Sequence, residues 1–108
     1  MADTGKILYS AQPGTGDTLL YTVPASTTTA VRGIHVCNTT GTAATITIGL
    51  NAAAALAAAN HFISALSIPA NGTYDWTGLQ FLEAADTIRG LQGTLNALTV
   101  HISGIEIA

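Results

Sequence analysis

The sequence predicts an all-β protein, a single antiparallel β-sandwich of about eight or nine strands, joined as a jelly roll or as an Ig-like Greek key. Short runs rich in Ile, Val, Thr, Leu and Tyr recur along the chain, each closed by a Gly, Pro or Asn cluster. Several of these runs alternate apolar with polar residues, the period of a strand with one buried face. No run of strands alternates with long amphipathic helices, so a parallel βαβ sheet is not expected. The 108 residues form one domain, 1–108, long enough to bury a core without metal or disulfide.

The elements follow in order. Lys6–Ala11 is the first strand, and Gln12–Asp17, with Pro13, Gly14 and Gly16, is a turn. Thr18–Val23 is the second strand, stopped by Pro24. Ala30–Asn38 is the third, with Ile34 and Val36 on one face and His35 and Cys37 on the other. Asn38–Gly41 turns the chain. Next comes the clearest alternation, Thr45, Thr47 and Gly49 against Ile46, Ile48 and Leu50, a strand polar outside and apolar inside.

Residues 52–59 are alanine except Leu56. Alanine has the best helix propensity, with Asn51 as N-cap and Asn60 as stop. Eight residues are too few for a helix stable alone, so 52–60 reads as an insertion, a short helix or loop ordered by what it lies against. Its small side chains permit close backbone approach, which makes Ala52, Ala55, Leu56 and Ala59 candidate contact residues. A mobile surface insertion is the equal alternative.

His61–Ile68 is the next strand, stopped by Pro69, and Asn71-Gly72 marks a tight reversal. Tyr74–Thr77 and Leu79–Glu83 form one or two strands around Gly78. Asp86–Leu91 follows, and Gln92–Thr94 turns the chain into a last strand, Leu95–Ile107. There the apolar phase shifts from Leu98, Val100 and Ile102 to Ile105 and Ile107. Strict alternation would need one extra residue, and Gly104 is the expected β-bulge. Thr22–Thr28 and Ser67–Thr73 echo each other, each a strand end, a Pro-Ala pair and a polar turn, and read as two similar corners of one sandwich. The expected core is Ile34, Val36, Ile46, Ile48, Leu50, Ile68, Trp76, Ile88, Val100 and Ile102.

Charge narrows the function classes. Only 8% of residues are charged and net charge is −3, where an ordinary soluble domain carries about 25% charged residues. Lys6, Arg32 and Arg89 cannot form a phosphate-binding stripe, so nucleic acid is not an expected partner. No apolar run reaches the length of a transmembrane helix, and the first residues lack the basic and apolar regions of a signal peptide. Synthesis in a cytoplasm is expected, with no membrane partner. Cys37 has no second cysteine to pair with. The sequons at Asn38 and Asn71 read as turn chemistry. A β-rich chain with so few charges has little to protect its strand edges, so its surface is expected to be covered by copies of itself or by a larger assembly.

Four constellations are candidates for chemistry. His35 and Cys37 share a strand face, yet no orienting acid or oxyanion donor accompanies them in a motif. His35, His61 and His101 lack metal-ligand spacing, but strands carrying His35 and His101 would give two ligands if they adjoin, or one histidine could recur about a symmetry axis. Glu83 and Asp86 flank Ala84-Ala85, where a turn role outweighs general acid–base chemistry. Tyr74 and Trp76 alternate with Asp75; exposed, they could stack on a sugar ring, while the alternative has both facing the core with Asp75 and Thr77 in water. No catalytic residue, cofactor or metal is expected, and the chain is read as non-enzymatic.

Leu19–Ala25, Ile34–Thr40, Ile68–Thr73, Leu82–Ile88 and Ser103–Ile107 together make the chain resemble a family of small virion proteins of tailed bacteriophages. The resemblance spans nearly the whole chain in the same order of parts, and the matched segments are strand ends and turns. It implies a β-sandwich with a place in the particle, as a capsid decoration (cement) protein or as a neck, tail or baseplate component. It transfers no functional residue, and 52–59 departs from the pattern. The expectation is therefore a capsid-decorating virion protein, a small homo-oligomer with the trimer favoured, clamping the major capsid protein. Met1–Lys6 is a candidate arm onto a neighbour, with a disordered tail as the alternative. A neck, tail or baseplate component and a carbohydrate-binding module using Tyr74 and Trp76 are the other readings.

Overall fold

The computed structural model describes residues 3–52 and 61–107, with backbone alone at 51 and 52. Eight strands fill these residues: β1 (Asp3–Ala11), β2 (Thr18–Thr22), β3 (Thr28–Asn38), β4 (Ala44–Ala52), β5 (His61–Ile68), β6 (Thr73–Leu82), β7 (Asp86–Gln92) and β8 (Leu98–Ile107). They make two four-stranded sheets, β1-β8-β3-β6 and β2-β7-β4-β5, in which every pairing is antiparallel. Apart from β4 and β5, no sheet neighbours are consecutive in the chain. An Ig-like sandwich places its first two strands side by side in one sheet, whereas here β1 and β2 lie in different sheets. The connectivity is that of an eight-stranded jelly roll.

The core forms where the inner faces meet. Ile34, Val36, Ile46, Ile48, Ile68, Ile88, Val100 and Ile102 are at most 1% exposed. Leu50 and Trp76 are half-buried and pack against this set. Leu8, Leu20, Val23, Val31, Ala44, Ile63, Leu82, Ala97 and Leu98 complete it.

The two Pro-Ala corners are equivalent. Both carry the chain from the β2-β7-β4-β5 sheet to the other sheet, between β2 and β3 and between β5 and β6. Val23 and Ile68 are buried just before the prolines. Ser26 and Asn71, at matching positions, both adopt positive φ, 56° and 54°, as a sharp reversal requires. The Gly72 amide donates to the Pro69 carbonyl at 2.9 Å.

The expected bulge at Gly104 is displaced onto the neighbouring strands. Alternation runs unbroken through β8, with Leu98, Val100, Ile102 and Gly104 buried. The unpaired residues are Leu8 on β1, opposite Ile102–Ser103, and Arg32 on β3, opposite Ser103–Gly104. A Cβ at Gly104 would stand 2.2 Å from the Ala30 carbonyl oxygen, so close backbone approach excludes any side chain there. Ile105 and Ile107 therefore belong to the outer face without any change of phase.

Other expectations are corrected. Asp3–Lys6 pair with Glu106, Ile105 and their neighbours in the same chain's β8, so this part of the proposed arm is already used as an intramolecular edge strand. Asn51 and Ala52 continue β4, paired with Thr87 and Asp86, so Asn51 is no helix N-cap. Residues 73–82 form one strand, whose Gly78 and Leu79 lie opposite Arg32. Gln92 is no turn residue. It ends β7 fully buried, its Oε1 accepting from the Ala97 and Leu98 amides at 3.1 and 2.7 Å and its Nε2 donating to the Pro13 carbonyl. One side chain thus ties the β1–β2 connection to the β7–β8 connection.

Candidate functional site

The outer face of the β1-β8-β3-β6 sheet gathers the chemically distinctive groups. Register sets them in rows across the four strands. At one end lie Gly5, Ile105, Ala30 and Phe81. Next come Ile7, Ser103, Gly33 and Thr77, and then Ser10, His101, His35 and Asp75. The first two rows leave apolar surface in solvent, with Ile7 66% and Phe81 55% exposed. Isolated exposed apolar residues are ordinary; these stand in adjacent rows on a face with little charge.

The third row is a continuous polar run. The Ser10 hydroxyl meets His101 Nδ1 at 2.9 Å, the His101 and His35 rings lie 6.2 Å apart between centroids, and His35 Nδ1 is paired with the Asp75 carboxylate. An ionised carboxylate only accepts, so His35 Nδ1 carries the proton and donates. His35 and Asp75 side chains are 43% and 62% exposed, and a pairing so exposed adds little to stability. The strands carrying His35 and His101 do adjoin. The row is no catalytic triad, because Asp75 orients His35 while Ser10 contacts the other imidazole. Cys37 lies on the same face between Thr99 and Thr73, partly exposed.

The remaining sequence candidates fall elsewhere. Tyr74 and Trp76 face inward and pack against the core, with Trp76 edge-on to Phe62 at 4.8 Å and 89°. Gly78 accommodates the indole, since a Cβ there would stand 2.9 Å from the ring. Asp75 and Thr77 are the exposed residues of that pattern. Ala55, Leu56 and Ala59 lie outside the described residues, and Ala52 is described only as the last backbone position of β4. His61 bonds Ser64 on β5, in the other sheet. Asp86 accepts from the Glu83 amide at 2.8 Å and so closes its own turn, in which Ala85 takes φ 72°. Asn38 is 1% exposed and its amide donates to the Thr42 and Ile68 carbonyls at 2.8 and 3.0 Å, so the first sequon is turn chemistry.

The sequence did not single out two groupings. Tyr21, on β2, reaches across the sandwich to Thr29 at 2.9 Å and to the Glu106 carboxylate, and Lys6 lies 3.4 Å from that carboxylate. Desolvation, reinforced by the bond to Glu106, pushes the Tyr21 phenol up to about 12. The other is the inclusion of Ser10 and Asp75 in the histidine row. Ninety-one residues separate Ser10 from His101, and only the pairing of distant strands aligns them. No three His, Cys, Asp or Glu side chains among the described residues are placed to hold one metal ion.

No protein-family model matches the chain, and no curated protein matches it. The eight antiparallel strands in two sheets make the chain an all-β sandwich.

Proposed function

We propose that the protein is a non-enzymatic structural component of a tailed-bacteriophage virion, most specifically a capsid decoration protein that binds the major capsid protein as a small closed oligomer, a trimer. The observation that carries this reading is a jelly roll with 8% charged residues whose outer sheet face leaves Ile7 and Phe81 in solvent. Neutral hydroxyl-rich and apolar surface can be covered by a partner without the cost of desolvating charge. The resemblance of the strand ends and corners to small virion proteins supports the same reading. Binding to the assembled shell but not to free subunits would stabilise the shell by mass action.

Light scattering coupled to size exclusion, at micromolar protein, tests the oligomer. A mass near three times 10.9 kDa supports it, and a stable monomer overturns the closed assembly. Copy number in purified particles separates the location: many copies fit decoration, and a few place the protein in the neck, tail or baseplate instead.

A further inference from the structure

We propose that His35 and His101 are the two protein ligands of a divalent late-transition-metal ion, Zn2+ or Ni2+ in kind, held on the outer face of the β1-β8-β3-β6 sheet. This goes beyond the virion reading and does not depend on it. The two residues are direct cross-strand partners on the same face, on paired strands at the middle of their sheet.

Three features build the site. The first is ring orientation. His35 Nδ1 is paired with Asp75 on β6, and His101 Nδ1 is bonded to Ser10 on β1. These partners lie on opposite flanks of the pair. The two nitrogens of an imidazole point to opposite sides of the ring, so turning each Nδ1 toward its flank leaves Nε2 for the gap between the rings or the solvent above it. The second is tautomer. Asp75 fixes the proton of His35 on Nδ1, and Ser10 can accept from Nδ1 of His101 in the same way. Both Nε2 lone pairs are then available, and a carboxylate or hydroxyl behind a ligating imidazole is the usual outer support of a metal site.

The third feature is spacing. An imidazole centroid lies about 3.2 Å from an ion bound in its plane at a metal–nitrogen length of about 2.0–2.1 Å, so rings sharing one ion stand about 5.2 Å apart at a tetrahedral angle and about 6.4 Å apart when opposed. The observed 6.2 Å lies toward the opposed limit, so a tetrahedral ion would draw the two exposed rings about 1 Å closer together. Imidazole ligands select zinc, nickel and copper over calcium and magnesium, which take oxygen. Water completes the coordination, because no third His, Cys, Asp or Glu among the described residues converges on the pair.

Untagged protein titrated with Zn2+ and with Ni2+ by calorimetry tests the site. Copper is a poor first probe, since the Cys37 thiol on the same face can reduce it. The expected result is saturable binding of one ion per chain. Either His35→Gln or His101→Gln weakens it at least tenfold, Asp75→Asn weakens it less, and His61→Gln leaves it unchanged. In NMR, Zn2+ moves the imidazole signals of His35 and His101 and not those of His61. All four positions are in solvent or partly so, and circular dichroism checks that each variant is folded. Absence of saturable binding, wild-type affinity in both histidine variants, or an equal loss in His61→Gln overturns the proposal.

Discussion

The two faces of β3 and β8 are made from alternating residues of the same strands and obey different rules. On the inner face Ile34, Val36, Val100 and Ile102 are at most 1% exposed. One residue along, His35 and His101 stand on the outer face with Ser10 and Asp75 as row neighbours. Inside, volume and shape decide what is tolerated, because the interior is close-packed. Outside, volume is free and placement decides, since a row of polar groups acquires chemistry only through its order. A one-residue change of register would exchange the two faces.

If that contrast is right, substitutions should rank by face. Ile102→Ala, which empties a site between its cross-strand partners Ile34 and Tyr9, is expected to cost about 4 kcal/mol in denaturant unfolding. Gly104→Ala adds only a methyl group, yet forces β3 and β8 apart at Ala30; a loss of about 3 kcal/mol is expected, and a loss below about 0.5 kcal/mol would show that the close approach is relaxed at no cost. Gln92→Leu keeps the buried volume but strands the Leu98 amide and the Pro13 carbonyl and leaves the Ala97 amide only its 3.3 Å bond to the Thr94 carbonyl, for about 2 kcal/mol.

A smaller effect tests the polar bridge between the sheets. The folded protein holds the Tyr21 proton to about pH 12, whereas the unfolded chain releases it near the ordinary 10.0. Between those values the native state binds more protons, so stability is complete below pH 10 and falls as pH rises toward 12. Solvent screening at this half-buried site holds the loss to about 1 kcal/mol. Tyr21→Phe should abolish that alkaline slope in urea midpoints taken at successive pH values. The smallest change is expected on the outer row: His101→Ala should shift stability by less than about 0.5 kcal/mol, and a larger shift would mean that the row is part of the core's support.

Strand positions and most of the core were legible because each depends on local alternation, and Ile46, Ile48, Val100 and Ile102 carry it plainly. The repeated Pro-Ala corners were legible too, since Pro stops a strand and the following residues must reverse. Gly104 was misread from the same information. Its neighbours' phase suggested an extra residue in β8, but the irregularity sits on Leu8 and Arg32, which only pairing reveals. Gln92 likewise has turn composition beside Gly93, and nothing local shows that the Ala97 and Leu98 amides and the Pro13 carbonyl await its side chain.

The all-β class, the inward residues, the corners and the scarcity of charge are legible residue by residue, because each depends on composition or on neighbours along the backbone. Strand pairing set the jelly-roll strand order, the bulges on either side of Ser103, the Tyr21–Glu106 bridge and the row from Ser10 through His101 and His35 to Asp75. The reason is physical: side-chain period is a local property of a strand, whereas which strands lie side by side is set by closing loops and burying two faces against each other.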